Sequence, residues 1–592
     1  MNSLFGGPES LLTRRSMLRG GALAAGGVAA AALIGCGSDD EDGGEEPSGG
    51  SGGTPAATAA STPVAGIQVG GKTIPYAFPE PAGKTPKAGG TAVFAVTWDV
   101  STMDPTKSAA GGTITVPNMV YDRLLGFKRG PDADPFKLEL VPELAKSWET
   151  SPDGLTYTFK MQSGVKWQNA APLSGRAFTA ADVKFALERY KNEGVHKPYY
   201  TNVKSIDVVD DATLKISLNK PQPDFLIPIA SRYTTIHPKE LVDAGEIEKK
   251  VIGTGPMVLK DAQQGTGATF TKNPEYWGGQ IYVDGIDCKV MTDGAAQLAA
   301  FRAKQIDFGY VVGATPQDLE TLLKSNPDVQ ATATRPVNTT FAISFNLDNP
   351  KWQDVRVRRA ISLAMDRDEL IQLVFQGNGV ALPTFPWIFL FDEQPTVESG
   401  LLGKWFKTDL AESKKLLEAA GQTNLSVPMI YYNYNDATNT RPNEVLVDQM
   451  RRAGITLEAK KTDYTEFNSQ WIGAKFADVA DGWAAQGFDT DNFFYQHMRS
   501  DSTGNRWRIK DSEIDTWAEQ QRSEINPQAR KEILRKIWDK ALDQMYRVEK
   551  PANIGTTTYQ PWMRGVRYSG VLGANSYFYD IGAQAKNLWL DK

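Results

Sequence analysis

From Ser151 to Met161 the chain alternates, with Leu155, Tyr157, Phe159 and Met161 apolar and Thr156, Thr158 and Lys160 between them. A period of two behind the turn formers Ser151-Pro152-Asp153-Gly154 predicts a hairpin with one buried face. The period then lengthens. In FTAADVKFALERY, Val183, Ala186, Leu187 and Tyr190 recur at helical spacing, and Thr179 with Asp182 has the spacing of a capping box. The stretch NVKSIDVVDDATLKISL returns to a two-stranded ribbon that turns at Asp210-Asp211. Helical stripes dominate farther on. Asp354 precedes Val357, Ala360, Ile361 and Ala364; Asp366 and Glu369 precede Leu370, Ile371 and Val374; Asp409 and Glu412 open a helix that Gly421 stops. Short strands, LSVPMIYYN and ITLEAKKT, lie among these helices, and the mixture predicts an α/β fold.

The first 87 residues follow neither period. Arg14-Arg15 stands before an uncharged Gly/Ala/Leu/Val run from Gly20 to Gly35, which is too short and too rich in Gly and Ala for a membrane-spanning helix of about 20 residues. It reads as a twin-arginine-type export signal over residues 1–35. Leu33-Ile34-Gly35-Cys36 has the form of a lipobox, which makes Cys36 the expected lipid anchor. Residues 36–87 are rich in Gly, Ser, Thr, Pro and acid, and are expected to be a disordered tether. Cys288, the second of two cysteines, then has no disulfide partner.

Composition narrows the function. With 14 Trp, 20 Tyr and 25 Phe, the remaining chain has more large apolar side chains than one ordinary core needs, so two or more lobes are expected. The net charge of −6 includes the acidic tether and leaves the folded part near neutral, which argues against nucleic acid as a partner. His196, His237 and His497 are the only histidines, and none falls in a metal or triad motif. No cofactor is expected, and the reading is of a protein that is not an enzyme. A glycoside hydrolase using a carboxylate pair among 70 acids is the alternative from the enzyme class.

Several stretches, in order, resemble the family 5 extracytoplasmic solute-binding proteins of ABC importers, the peptide- and nickel-binding group. They include GGTAVFAVTWDVSTMDP, LVPELAKSWETSPDGLTYTFKMQSGVKW, FTAADVKFALERY, IGTGPMVLK, KNPEYWGG, FNLDNPKWQDVRVRRAISLAMDRDELI and GWAAQGFDTDNFFY. The resemblance implies a two-lobe periplasmic-binding-protein-like fold with a hinge and an enlarged lobe I. Lobe I would run over 88–335 and return over 559–592, with lobe II over 336–558. It further implies a lipid-anchored monomer outside the cell membrane that hands a small solute to an ABC permease and ATPase. A sensor component would read the same way.

In dipeptide-binding members of the family an aspartate and an arginine hold the ligand's charged ends. The same register places Gln486 and Asn433 at those positions in this chain. Two amides suit a solute that presents hydroxyls and carbonyls, so a neutral oligosaccharide stands beside peptide, with a nickel chelate a more distant branch. Local gaps would instead bring Arg441, Asp436, Asp489 or Asp491 to these places. Trp483, Phe488, Trp387, Trp98 and Asp99 complete the expected ligand-binding set, because flat rings at strand ends cover sugar faces and peptide planes alike.

Overall fold

The computed structural model describes residues 66–76, 83–97, 99–100, 102–108, 111–129, 134, 137–309, 316–334, 336–339, 341–432, 439–483, 490–566 and 585–592. Arg14, Arg15, Cys36, Trp98, Asn433, Gln486, Phe488 and Asp489 lie outside them.

The first elements correct an expectation. Strands β1 (Gly66–Val69) and β2 (Lys72–Pro75) form an antiparallel hairpin inside the stretch assigned to a disordered tether. Ile67, Val69 and Ile74 bury one face of it against Leu319 and Leu323. Three alternating apolar residues are enough once a partner surface exists, and composition averaged over fifty residues hides them.

Strand β3 (Thr91–Val96) is followed by β4 (Ala145–Thr150), β5 (Thr156–Met161), helix α1 (Ala180–Asn192), β6 (Val203–Asp210) and β7 (Thr213–Leu218). Next come β8 (Met257–Gln263), β9 (Gly267–Lys272), β10 (Gly285–Val290), β11 (Phe308–Gly309), α2 (Pro316–Ser325) and β12 (Gln330–Ala333). The second half holds β13 (Phe341–Phe345), α3 (Val355–Ala364), α4 (Arg367–Phe375), α5 (Leu410–Ala419), β14 (Ser426–Tyr432), α6 (Arg441–Arg452) and β15 (Thr456–Thr462). It ends with α7 (Tyr464–Trp471), β16 (Val479–Trp483), α8 (Ser512–Ser523), α9 (Pro527–Gln544), β17 (Arg547–Glu549) and β18 (Thr556–Tyr559).

Three sheets organise these elements. A seven-stranded sheet runs β8-β9-β10-β3-β11-β18-β12, and a four-stranded antiparallel sheet runs β4-β5-β7-β6. Both share one core, in which Phe94 and Ile286 of the large sheet join Tyr157, Phe159, Leu214 and Ile216 of the small one. That added sheet makes this the larger lobe. The second lobe is a five-stranded sheet, β15-β14-β16-β13-β17, with a core on each face. Its strands all fall between Phe341 and Glu549, whereas β18 returns to the first sheet, so the chain crosses between the sheets twice.

The local signals have visible causes. Tyr157, Phe159 and Met161 are buried and Lys160 is exposed, as the alternation requires. Asp182 accepts the Thr179 N–H at 2.9 Å, and Asp366 and Asp409 accept from the third residue of their helices. Gly421 ends α5 with a positive φ of 68°. Asp366 makes only half a capping box, because Glu369 turns away to Gln449 and Arg452 of α6.

Candidate ligand-binding cleft

Strands β14 and β16 are parallel neighbours, with Met429 opposite Val479 and Ile430 opposite Ala480. Their carboxyl ends, Tyr432 and Trp483, therefore lie side by side, with ring centroids 5.4 Å apart and nearly perpendicular. Chain segments 433–438 and 484–489 leave from these two ends. Sites in α/β sheets lie outside the carboxyl ends of parallel strands, because connecting segments converge there and helices do not cover them.

An aromatic shelf stands at these strand ends. Trp483 is half-buried; Tyr464, the first residue of α7, is 59% exposed and stacks on it at 6.4 Å with an 18° interplanar angle. Phe467 and Trp471, one and two turns along α7, back Trp483 at 5.5 and 6.2 Å. Trp471 lies against Gly482, where a side chain would collide with its ring. Tyr464 is the exposed member of this cluster, and aromatic rings of this kind suit planar or apolar faces of a solute.

Beneath the shelf lies a buried charge. Asp481, two residues before Trp483, is 0% exposed and accepts from Lys550 Nζ at 2.6 Å, Asn443 at 2.9 Å and Asn439 at 3.3 Å. Asn439 closes the 433–438 segment, and Lys550 begins the second crossing between sheets. One ionic knot therefore ties both segment ends to the hinge. All three bonds fall on Asp481 Oδ2, while Oδ1 is buried without a hydrogen-bond partner among the described residues.

The lobes are bridged on one side. Asp224, in the larger lobe beside the buried Phe225, accepts from Arg530 of α9 at 2.6 and 2.5 Å. Thr490, which directly follows the 484–489 segment, donates to Asp224 at 2.8 Å. Arg530 also donates to Thr490 and to Gln521 of α8, at 2.6 and 3.0 Å. A two-pronged guanidinium–carboxylate pair of this kind fixes direction as well as distance. Such a pair can form only when the lobes are brought together.

The expected site residues divide into two groups. Trp483 stands on the shelf. Trp387 is 4% exposed, packed in the aromatic core of the second lobe, with its Nε1–H directed at Pro336 O at 3.4 Å. Asp99 receives the Gly265 N–H on both oxygens, at 2.9 and 3.0 Å, which fastens it to the β8–β9 turn. Trp387 and Asp99 thus serve contacts within their own lobes. Arg441, at the first turn of α6, is exposed. Tyr464 and Asp224 were missing from the expected set: Tyr464 follows the helix cap Asp463, a signal of a strand-to-helix corner, whereas nothing local marks Asp224.

The three histidines are buried and neutral. Burial pushes His196 down to about 4 and His497 to about 4; burial and then the Arg189 charge push His237 to about 3. Among the described residues no group of three or more His, Cys, Asp or Glu is placed to hold a metal, and no helix is long and apolar enough to cross a membrane. Cys288 is free and buried in β10, where burial pushes its thiol up.

Residues 139–505 match the family described as bacterial extracellular solute-binding proteins, family 5 (middle). The chain is a family 5 solute-binding protein. This family 5 protein is 27% identical over 426 residues to heme-binding protein A of Haemophilus influenzae, covering 67% of the chain and 75% of that relative. It is 26% identical over 408 residues to the dipeptide-binding protein of Escherichia coli, covering 63% and 72%. Its fold is similar to the solved DppA of Helicobacter pylori in complex with the peptide STSA, with a TM-score of 0.71 and 22% identity over 86% of this chain and 99% of that one. The two-lobe α/β fold expected from the sequence is thereby shown. Its relatives are transport-binding proteins, which places the family outside the enzymes.

Proposed function

We propose that this protein is the lipid-anchored capture component of an ABC importer, which closes two lobes on a short peptide and delivers it to a membrane permease. The observation that carries the reading is the Asp224–Arg530–Thr490 bridge, because it joins the lobes through the residue next to the expected ligand segment. Closure and capture then share one element: a solute held at the expected ligand segment lies next in sequence to Thr490, which bonds Asp224. Trp483 and Tyr464 supply the face on which the solute lies, and Gln486, Asn433, Phe488, Asp489 and Trp98 are proposed to complete the lining. Peptide is favoured by the relatives named for dipeptide and peptide transport. The export signal with Arg14 and Arg15, and the lipid on Cys36, would hold the protein at the outer face of the membrane, where tethering raises the encounter rate with a permease.

A second reading is a neutral solute such as an oligosaccharide. It is supported by the internal partners of two carboxylates: Lys550 offsets the charge of Asp481, and the Gly265 N–H bonds both oxygens of Asp99. Gln486 and Asn433, in place of charged anchors, would give a free amino terminus no dedicated carboxylate in that register. Thermal-shift measurements against di- to pentapeptides, N-acetylated peptides and neutral oligosaccharides separate the two readings. Stabilisation by free peptides supports the first. Stabilisation by blocked peptides or sugars alone supports the second, and stabilisation by none removes the capture role.

A further inference from the structure

A cavity of about 50 Å³ lies inside the second lobe, walled by Phe385, Phe493, Phe494, Trp507, Trp538 and Leu542. It exceeds the roughly 10–15 Å³ that one water needs on the same measure. Its apolar wall is interrupted at one end by Arg547, Glu549 and Thr384.

Arg547 is the unexpected member. It sits on β17 with 7% exposure, its guanidinium lying over the Trp507 ring at 4.7 Å. None of its three side-chain nitrogens has a hydrogen-bond partner among the described residues. Glu549 stands 3.7 Å from Nη2, beyond hydrogen-bond reach, and accepts instead from Thr384 Oγ1 at 2.6 Å. Trp507 Nε1 and Arg506 Nη1 are also buried without partners, and Arg506 lies over the ring of Trp471 at 5.5 Å.

Buried polar groups in proteins are almost always satisfied, and leaving one bare costs on the order of a whole hydrogen bond. Here the bare groups lining one cavity are the three N–H-bearing nitrogens of Arg547 and the Nε1–H of Trp507, and the single carboxylate in the lining, Glu549, is hydrogen-bonded to none of them. Donors in excess at the end of an apolar pocket describe a site for an acceptor that carries negative charge and an apolar body. The planar fork of Arg547 matches the two oxygens of a carboxylate.

We infer that this cavity is a second ligand site, distinct from the shelf at the strand ends, which takes the carboxylate of a short apolar acid on Arg547 with Trp507 Nε1 as an additional donor. Its volume admits the head and first carbons of such an acid. Phe493 and Phe494 line this cavity, and none of the shelf residues Trp483, Tyr464, Phe467 and Trp471 does.

The test is calorimetric titration of the whole purified protein with propionate and butyrate, and with propanol and propylammonium as neutral and cationic controls. The expected result is saturable binding of one acid per chain with no saturable binding of the alcohol or the amine. Arg547→Gln should weaken the acid by at least about tenfold, the loss of one charge-assisted pair. Since that change leaves Glu549 unpaired, the double variant Arg547→Gln/Glu549→Gln keeps the pocket neutral and should lose binding equally, and Trp507→Phe should weaken it while keeping the ring. Equal binding of acid and alcohol, unchanged affinity in the double variant, or no saturable acid binding, which would mean water fills the cavity, each overturns the inference. Peptide and sugar thermal shifts on the same variants report the capture site separately.

Discussion

Replacing Asp224 by Asn keeps the shape of the side chain and removes the charge that faces Arg530. The two side chains are 18% and 11% exposed, so the pair lies between a surface bridge and a buried one. Exposed pairs contribute about 0–1 kcal/mol, and breaking a buried pair costs about 3–5 kcal/mol. An intermediate value of about 2 kcal/mol is expected for Asp224→Asn, because Arg530 keeps Thr490 and Gln521 as partners. That energy is roughly a thirtyfold shift in the closure equilibrium. It should appear in two assays: at a solute concentration that just closes the wild-type protein, small-angle scattering of the variant should show a larger radius of gyration, and capture of that solute should weaken by about the same factor. Global stability should change less, since each lobe keeps its own core. An Asp224→Asn protein with wild-type scattering and wild-type affinity would refute the role given to the bridge.

Three further expectations follow from the same contacts. Trp483→Ala should weaken solute capture by about 1–3 kcal/mol in calorimetry with little loss of secondary structure, since Trp483 is only half-buried at its strand end; full affinity would remove the shelf from the site. Lys550→Met leaves Asp481 charged at 0% exposure and should cost about 3–5 kcal/mol in urea unfolding, with much of the loss restored by adding Asp481→Asn. His196, His237 and His497 are held at about 4, 3 and 4 in the fold against 6.5 when unfolded, so the unfolded chain takes up protons first as pH falls. Their stabilising contribution is complete above pH 6.5 and declines below it, with a limiting slope of about 1.4 kcal/mol per pH unit for each histidine, roughly 4 for all three. Urea midpoints that stay level from pH 6.5 to pH 5 would contradict this.

What the sequence made legible was local. The alternation at Tyr157, Phe159 and Met161 and the caps at Thr179, Asp366 and Asp409 each involve residues within a few positions of one another, so one strand or one turn of helix expresses them. The hairpin at Gly66–Pro75 was hidden for the opposite reason: its buried face exists only because Leu319 and Leu323 lie opposite, some 250 positions away. The same holds for the site. Trp483 was marked by its place at a strand end, but its stacking partner Tyr464 arrives through the β15–α7 corner. Asp224 and Arg530 are 306 positions apart, and neither neighbourhood announces a partner. Trp387 and Asp99 show how an aromatic or acid chosen by type can be claimed by nearby backbone: Pro336 O takes one and Gly265 N–H the other. Nothing in the sequence around Arg547 marks it, because only the cavity beside it makes its bare nitrogens unusual.

The central claim, that two lobes close on a solute and the bridge reports it, is tested most directly by single-molecule energy transfer between dyes on the exposed positions Lys215 and Lys415, one in each lobe. Titrating the solute that gives the largest thermal shift should move the population from a low-transfer to a high-transfer state, with a midpoint equal to the calorimetric affinity and shifted about thirtyfold by Asp224→Asn. A transfer distribution that does not respond to a solute the protein demonstrably binds would contradict the account.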